Sequence, residues 1–240
     1  MHRLLSILIL VSFQLFSQNL VPNPSFEDII DCPYGITNGD VTYAIPWISA
    51  REPYSSSDLL YNCSESNAII FENQNIQFRT GIGVASFSHW HASYFQEYAT
   101  EEYETPREYI QVLLDDTLIQ GEEYVLSFYC YFIWQSTPCD AIGGYFSEDT
   151  VYIPTFYDSS LSTALTNLYP QVENPIGSIL PIEEWNHVTG SFVAQGGEKF
   201  LTLGNFRADS LINYSIDSTV IWWESSDFVA IDDVLVYLSG

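Results

Sequence analysis

The sequence carries few residues placed for bond-making chemistry. Beyond its first residues it holds three histidines, His89, His91 and His187. In "HWH" (89–91) the two imidazoles fall on one face of a strand, a spacing that can chelate a metal. No third ligand accompanies them in the sequence, so a surface or loop pair is the simpler expectation. There is no Gly-x-Ser-x-Gly turn to present a serine nucleophile and no Cys-x-x-Cys to hold zinc or run redox chemistry. Asp and Glu together number 31, yet no two of them stand out as acid and base for glycoside hydrolysis. The expectation is a chain without catalytic activity.

Aromatic residues are abundant instead, with 17 Tyr, 15 Phe and 6 Trp. Such rings stack on the apolar faces of sugars, while amides, carboxylates and arginines bond the hydroxyls. Candidates for a platform of this kind are Trp90, Tyr94, Tyr129, Tyr131, Trp134, Trp222 and Trp223. Tyr129 and Tyr131 alternate with Phe128, Cys130 and Phe132, so a core on the second set turns the tyrosines to the other side. Trp222 and Trp223 are adjacent, and on a strand the two cannot both point inward. For the remaining rings, packing in a core or loop competes with ligand contact. Arg107 and Arg79 are scarce cations here, and Arg107 serves equally well to touch a ligand or to pin neighbouring acids.

The net charge of −25, with only six Lys and Arg, disfavours nucleic acid and anionic membrane surfaces as partners. It suits neutral sugars, calcium or cationic partners. At the start of the chain, Met1-His2-Arg3 is followed by an apolar run, Leu4 to Phe16, and then Ser17. That layout predicts a secretory signal peptide over 1–17, its apolar run being too short to span a bilayer. No other stretch is apolar enough to cross one. The exported chain would end in the periplasm, at the cell surface or in the medium. In that setting Cys32, Cys63, Cys130 and Cys139 suggest two disulfides, for which three pairings exist. The turn-rich settings of the first two, and the hairpin-like span between the last two, favour Cys32–Cys63 and Cys130–Cys139.

The elements that must position these residues read as strands throughout. β-rich runs at 83–90, 107–114, 124–134, 141–147, 187–194, 199–206 and 227–238 are separated by Gly, Pro, Asn and Asp. Phe200, Thr202, Gly204 and Phe206 oppose Leu201, Leu203 and Asn205 with period two. Both faces of 124–134 are apolar or aromatic, which fits a central strand. Segments 30–66 and 148–175 read as long loops, and 158–169 allows at most one short helix. The prediction is an all-β fold, a two-sheet antiparallel sandwich of jelly-roll type, forming one domain over 18–240.

"NLVPNPSFE" near the start and "FVAIDDVLVY" near the end resemble the first and last strands of carbohydrate-binding-module-like jelly rolls, the galactose-binding-like fold. "REYIQVLLDDTLIQGEEYVLSFY" (107–129) and "WNHVTGSFVAQGGEKFLTLGNF" (185–206) resemble blocks of exported Bacteroidetes proteins that carry such a domain ahead of OmpA-like or secretion-sorting domains. Neither of those follows the last strand here, so the expectation is the module alone. The resemblance implies that the two terminal strands lie side by side. It also implies a structural calcium shared by a glutamate on the first strand and an aspartate on the last, which match Glu27 and either Asp232 or Asp233. Edge charges that discourage sheet pairing are the competing account of those acids. Two functional classes follow: a non-catalytic glycan-binding module, and a structural or adaptor protein of a Bacteroidetes envelope assembly (secretion, gliding or adhesion).

Overall fold

The computed structural model describes residues 18–33, 40–50, 57–62, 78–90, 105–133, 136–153, 164–215 and 228–240. Ten strands occur among them: β1 (Ile48–Ser49), β2 (Asp58–Tyr61), β3 (Gly83–Ser88), β4 (Ile110–Leu113), β5 (Glu123–Phe132), β6 (Gly143–Ser147), β7 (Val172–Glu173), β8 (Trp185–Val193), β9 (Phe200–Gly204) and β10 (Phe228–Leu238). They form two five-stranded sheets, ordered β1-β4-β9-β6-β7 and β2-β3-β10-β5-β8. Every strand pair is antiparallel. The all-β sandwich predicted from the strand runs is therefore what forms. Consecutive strands share a sheet only at β2–β3 and β6–β7, so the chain otherwise crosses the sandwich at each step.

All seven runs read as strands contribute one. The short β1, β2 and β7 lie inside or beside segments read as loops, because two to four residues are too few to show alternation. Residues 1–17, where a signal peptide is expected, lie outside the described residues, as do Cys63, His91, Tyr94, Trp134, Trp222 and Trp223.

Alternation along β5 sets the core. Leu126, Phe128, Cys130 and Phe132 point between the sheets, where they meet Ile110, Val112, Leu201, Leu203, Ile231 and Val236. Trp47 and Phe26 close one end of this core with ring centroids 4.8 Å apart.

Residues 18–33 depart from expectation. They form no strand, only an isolated bridge from Ile29 to Ala44. Pro22 and Pro24 cannot donate to a ladder, and Asn23 and Phe26 adopt positive φ, so regular pairing is broken. The segment nevertheless runs beside β10 as the resemblance implies. Leu20 N–H donates to Val236 O at 2.7 Å, and Val234 N–H donates to Pro24 O at 2.9 Å. Asn19 reinforces the seam, its Oδ1 accepting from Val236 N–H at 2.8 Å and its Nδ2 donating to Val234 O at 3.2 Å.

The expected Cys130–Cys139 disulfide does not form. Cys130 and Cys139 are free thiols, both buried. Their backbone positions face the packed core, where burial raises both thiols, Cys139 to about 12. Cys32 is disulfide-bonded.

Candidate functional site

Two polar assemblies adjoin on the β2-β3-β10-β5-β8 sheet. The first joins the chain's distant ends. Glu27 reaches the turn before β3, where its Oε1 accepts from Ile82 N–H at 2.8 Å and Gly83 N–H at 2.9 Å. Asp232 is wholly buried on β10 and accepts from Thr80 N–H at 3.1 Å. Its carboxyl is pushed up to about 7, first by burial and also by the nearby Glu27 carboxylate, against the opposing Thr80 N–H and Arg79. Asp233 faces elsewhere. A register shift after Asp232 and a φ of 48° at Asp233 turn its side chain to Ser25 Oγ, to Thr80 Oγ1 at 2.8 Å, and to an ion pair with Arg79. Gly81 makes the meeting possible, since a Cβ there would collide with the Glu27 carboxylate.

This arrangement bears on the expected calcium. Hard divalent cations take oxygen ligands, and one beside Asp232 would offset both the burial of its carboxylate and the nearby Glu27 charge. Those two residues supply oxygen donors of the kind such an ion takes. Asp233 is directed to Arg79, Ser25 and Thr80 instead. Among the described residues no three acidic, His or Cys groups are clustered to hold a metal, so the other ligands would be carbonyls or water.

The second assembly stands on the outer face of the same sheet. Tyr129 points away from the core, as its alternation with Phe128 and Cys130 predicts. The Arg79 guanidinium lies 3.4 Å from the Tyr129 ring centre, and the His187 imidazole stacks on that ring at 4.6 Å with a 17° interplanar angle. A guanidinium and a stacked imidazole this close to one ring centre cannot occupy the same face, so Tyr129 is sandwiched between them. His187 Nε2 is 2.8 Å from Ser127 Oγ. A serine–histidine base needs a partner orienting its second nitrogen, and among the described residues none bonds His187 Nδ1. Beside this row, half-buried Trp185 lies tilted on Tyr131 at 5.4 Å.

Several residues expected to touch a ligand are interior instead. Tyr131 faces outward but is 3% exposed, packed with Leu60, Val84, Ile133 and Ala230. Trp90 is buried and donates from Nε1 to Asp209 Oδ1 at 3.0 Å. Arg107 is also buried. It pairs with Asp209 and donates to Asn205 O at 3.0 Å, which is the acid-pinning role its sequence allowed. His89 is buried against the edge of Phe132, its Nε2 3.0 Å from Thr137 O. Asp209 lies 119 residues from Trp90 and 102 from Arg107, so nothing local in the sequence signals this knot. Trp185 and Thr80 were missed as well. Trp185 is the first residue of its strand, where alternation has barely begun.

The outer face of the other sheet is covered. Gln111 clamps the Val151 backbone in both directions, at 2.9 and 3.0 Å, and Gln171 does the same to Phe146 at 2.8 and 3.2 Å. Leu165 and Leu168 then pack with Ile153 over Tyr109 and Phe206. On the β2-β3-β10-β5-β8 sheet the outward side chains of Leu60, Val84, Tyr131 and Ala230 are buried too, and the exposed part of its outer face among the described residues is the strip along β8 at His187, Thr189 and Ser191, beside half-buried Tyr129.

No protein-family model matches the chain, and a search of curated proteins finds no match. Solved structures are similar in shape. The CBM22-1 xylan-binding domain from Paenibacillus barcinonensis Xyn10C matches with a TM-score of 0.39 at 13% identity, over 89% of this chain and 90% of that one. The K1 cleaved adhesin domain of Lys-gingipain from Porphyromonas gingivalis matches with a TM-score of 0.42 at 11% identity, over 90% of this chain and 96% of that one. The enzymatically active domain of tailspike protein 4 from bacteriophage CBA120 matches with a TM-score of 0.39 at 12% identity, over 92% of this chain and 21% of that one. At these values the likeness gives no residue a role. Among the described residues no helix is long and apolar enough to cross a membrane.

Proposed function

We propose that this chain is an exported, non-catalytic glycan-binding module. Its ligand would lie on the outer face of the β2-β3-β10-β5-β8 sheet, at Trp185, His187 and the rim of Tyr129. The observation that carries this reading is the contrast between the two outer faces: one is strapped down by the segment around Val151 and Leu165, the other leaves aromatic rings beside hydroxyl and imidazole groups. Since both faces of Tyr129 are taken, sugar stacking would fall to Trp185 and His187, with exposed Thr189 and Ser191 lining the same strip. Arg79 is neutralised by Asp233, and the net charge of −25 repels acidic sugars, so the favoured ligand is a neutral glycan. Glu27 and Asp232 would hold the structural calcium, which supplies charge compensation at the seam between the chain's ends.

A glycan-array screen followed by titration with the best neutral oligosaccharide tests this. Trp185→Ala should weaken binding at least about tenfold with the fold intact by circular dichroism. No binding to any glycan, or binding indifferent to Trp185→Ala, rejects the reading. The envelope-adaptor alternative draws support from a different feature, the exposed edge of β8.

A further inference from the structure

We infer that the free edge of β8 is a docking site for a basic, extended segment of another protein, added as a sixth strand. This does not rest on the glycan reading. A sheet edge presents unpaired N–H and C=O groups and invites another strand unless it is blunted. Among the described residues three of the four edges are blunted: β1 and β7 have two residues each, and the four residues of β2 are all buried. The fourth is β8, nine residues long. Its sequence, WNHVTGSFV, has no proline and no charge to deter pairing. Asn186 to Val193 bond backbone-to-backbone only with β5, so their other edge is free among the described residues. His187, Thr189, Ser191 and Val193 are exposed along it, Val193 by 61%.

Charge selects the occupant. Exposed Glu183 and Glu184 precede β8, and exposed Glu122 and Glu123 stand at its far end, where Glu123 is the partner of Val193. An uncharged edge bounded by acids at both ends suits an extended segment with Lys or Arg near its termini. A second copy of this chain fits poorly. Antiparallel pairing of two β8 strands about Thr189 would set Trp185 against Val193, bringing Glu183 and Glu184 towards the other copy's Glu123, in a chain of net charge −25.

The test uses the full chain and two synthetic nine-residue peptides of alternating residues, one of Lys and Thr, the other of Glu and Thr. At low salt the lysine peptide should bind at least about tenfold more tightly than the glutamate one, and lose affinity as salt rises. Amide hydrogen exchange should slow along residues 186–193 when it binds. Thr189→Lys with Val193→Lys, both at exposed positions, should weaken it by at least about tenfold. Equal binding of the two peptides, unchanged exchange along β8, or formation of a β8-dependent dimer would each overturn the proposal.

Discussion

The guanidinium of Arg79 lies 3.4 Å from the centre of the Tyr129 ring while pairing with Asp233, so one side chain joins the seam of the chain's ends to the outer face of β5. Removing it should be felt at both places. Arg79→Ala is expected to cost about 1 kcal/mol, since its side chain is 28% exposed and the pair is partly solvated. Arg79→Lys keeps the charge but loses the planar stack, and should fall between the two. Urea unfolding midpoints measure this order. A lysine variant as stable as the native protein would mean that stacking contributes nothing.

Calcium should act through Asp232 rather than its neighbour. Adding the ion in about hundredfold excess over its dissociation constant is expected to stabilise the native protein by about 2.7 kcal/mol. Asp232→Asn should abolish that gain and Asp233→Asn should retain it. Thermal melts with calcium and with chelator decide between them, and equal behaviour of the two variants would contradict the assignment.

Gly81 should tolerate no side chain. Its φ of 56° already strains any L-residue, and a Cβ there would strike the Glu27 carboxylate. Gly81→Ala is expected to destabilise by about 2 kcal/mol or more and to diminish the calcium response. A chelator-sensitive melt reads both effects at once.

Much of this architecture was legible in the sequence because it follows from period-two alternation. Phe128, Cys130 and Phe132 reveal which face of β5 is core, and so which way Tyr129 points. What alternation cannot reveal is what arrives from elsewhere. The ring faces of Tyr129 are occupied by Arg79 and His187, from other strands and turns. Trp90 and Arg107 look available until Asp209 draws them inside. The opening segment reads as a strand because apolar residues surround its prolines, yet those prolines and two positive-φ residues prevent regular pairing.

Acid should loosen the loop that carries Arg207. Burial alone would raise Asp140, but hydrogen bonds from Gly177 and Asn213 and the Arg207 charge outweigh it and hold the carboxyl below its ordinary value. Its contribution is thus full above the unfolded-state value, about 3.9, and is lost as pH falls through the lower folded value. Glu173 behaves oppositely: burial raises it despite Arg207, so protonation there slightly favours the folded state as pH drops towards that range. Asp140→Asn should cost about 3 kcal/mol at neutral pH and flatten the acid limb. Unfolding midpoints from neutral pH to about pH 3 would show it.

Cys130 and Cys139 should resist alkylation in the folded protein and react fully in denaturant, because burial holds both as thiols. Mass spectrometry of native and unfolded samples counts the labels. Rapid labelling of either residue in the native protein would contradict their interior placement.

The placement of β10 governs when the molecule can assemble. This strand, the last in chain order, sits in the middle of its sheet between β3 and β5, and it also receives Leu20 and Pro24. The β2–β3 and β5–β8 pairs stay two separate halves of that sheet until residues 228–238 arrive. Ribosome-bound chains from which residues 228–238 have not emerged should therefore remain protease-sensitive, with this sheet completed only once those residues are free to pair.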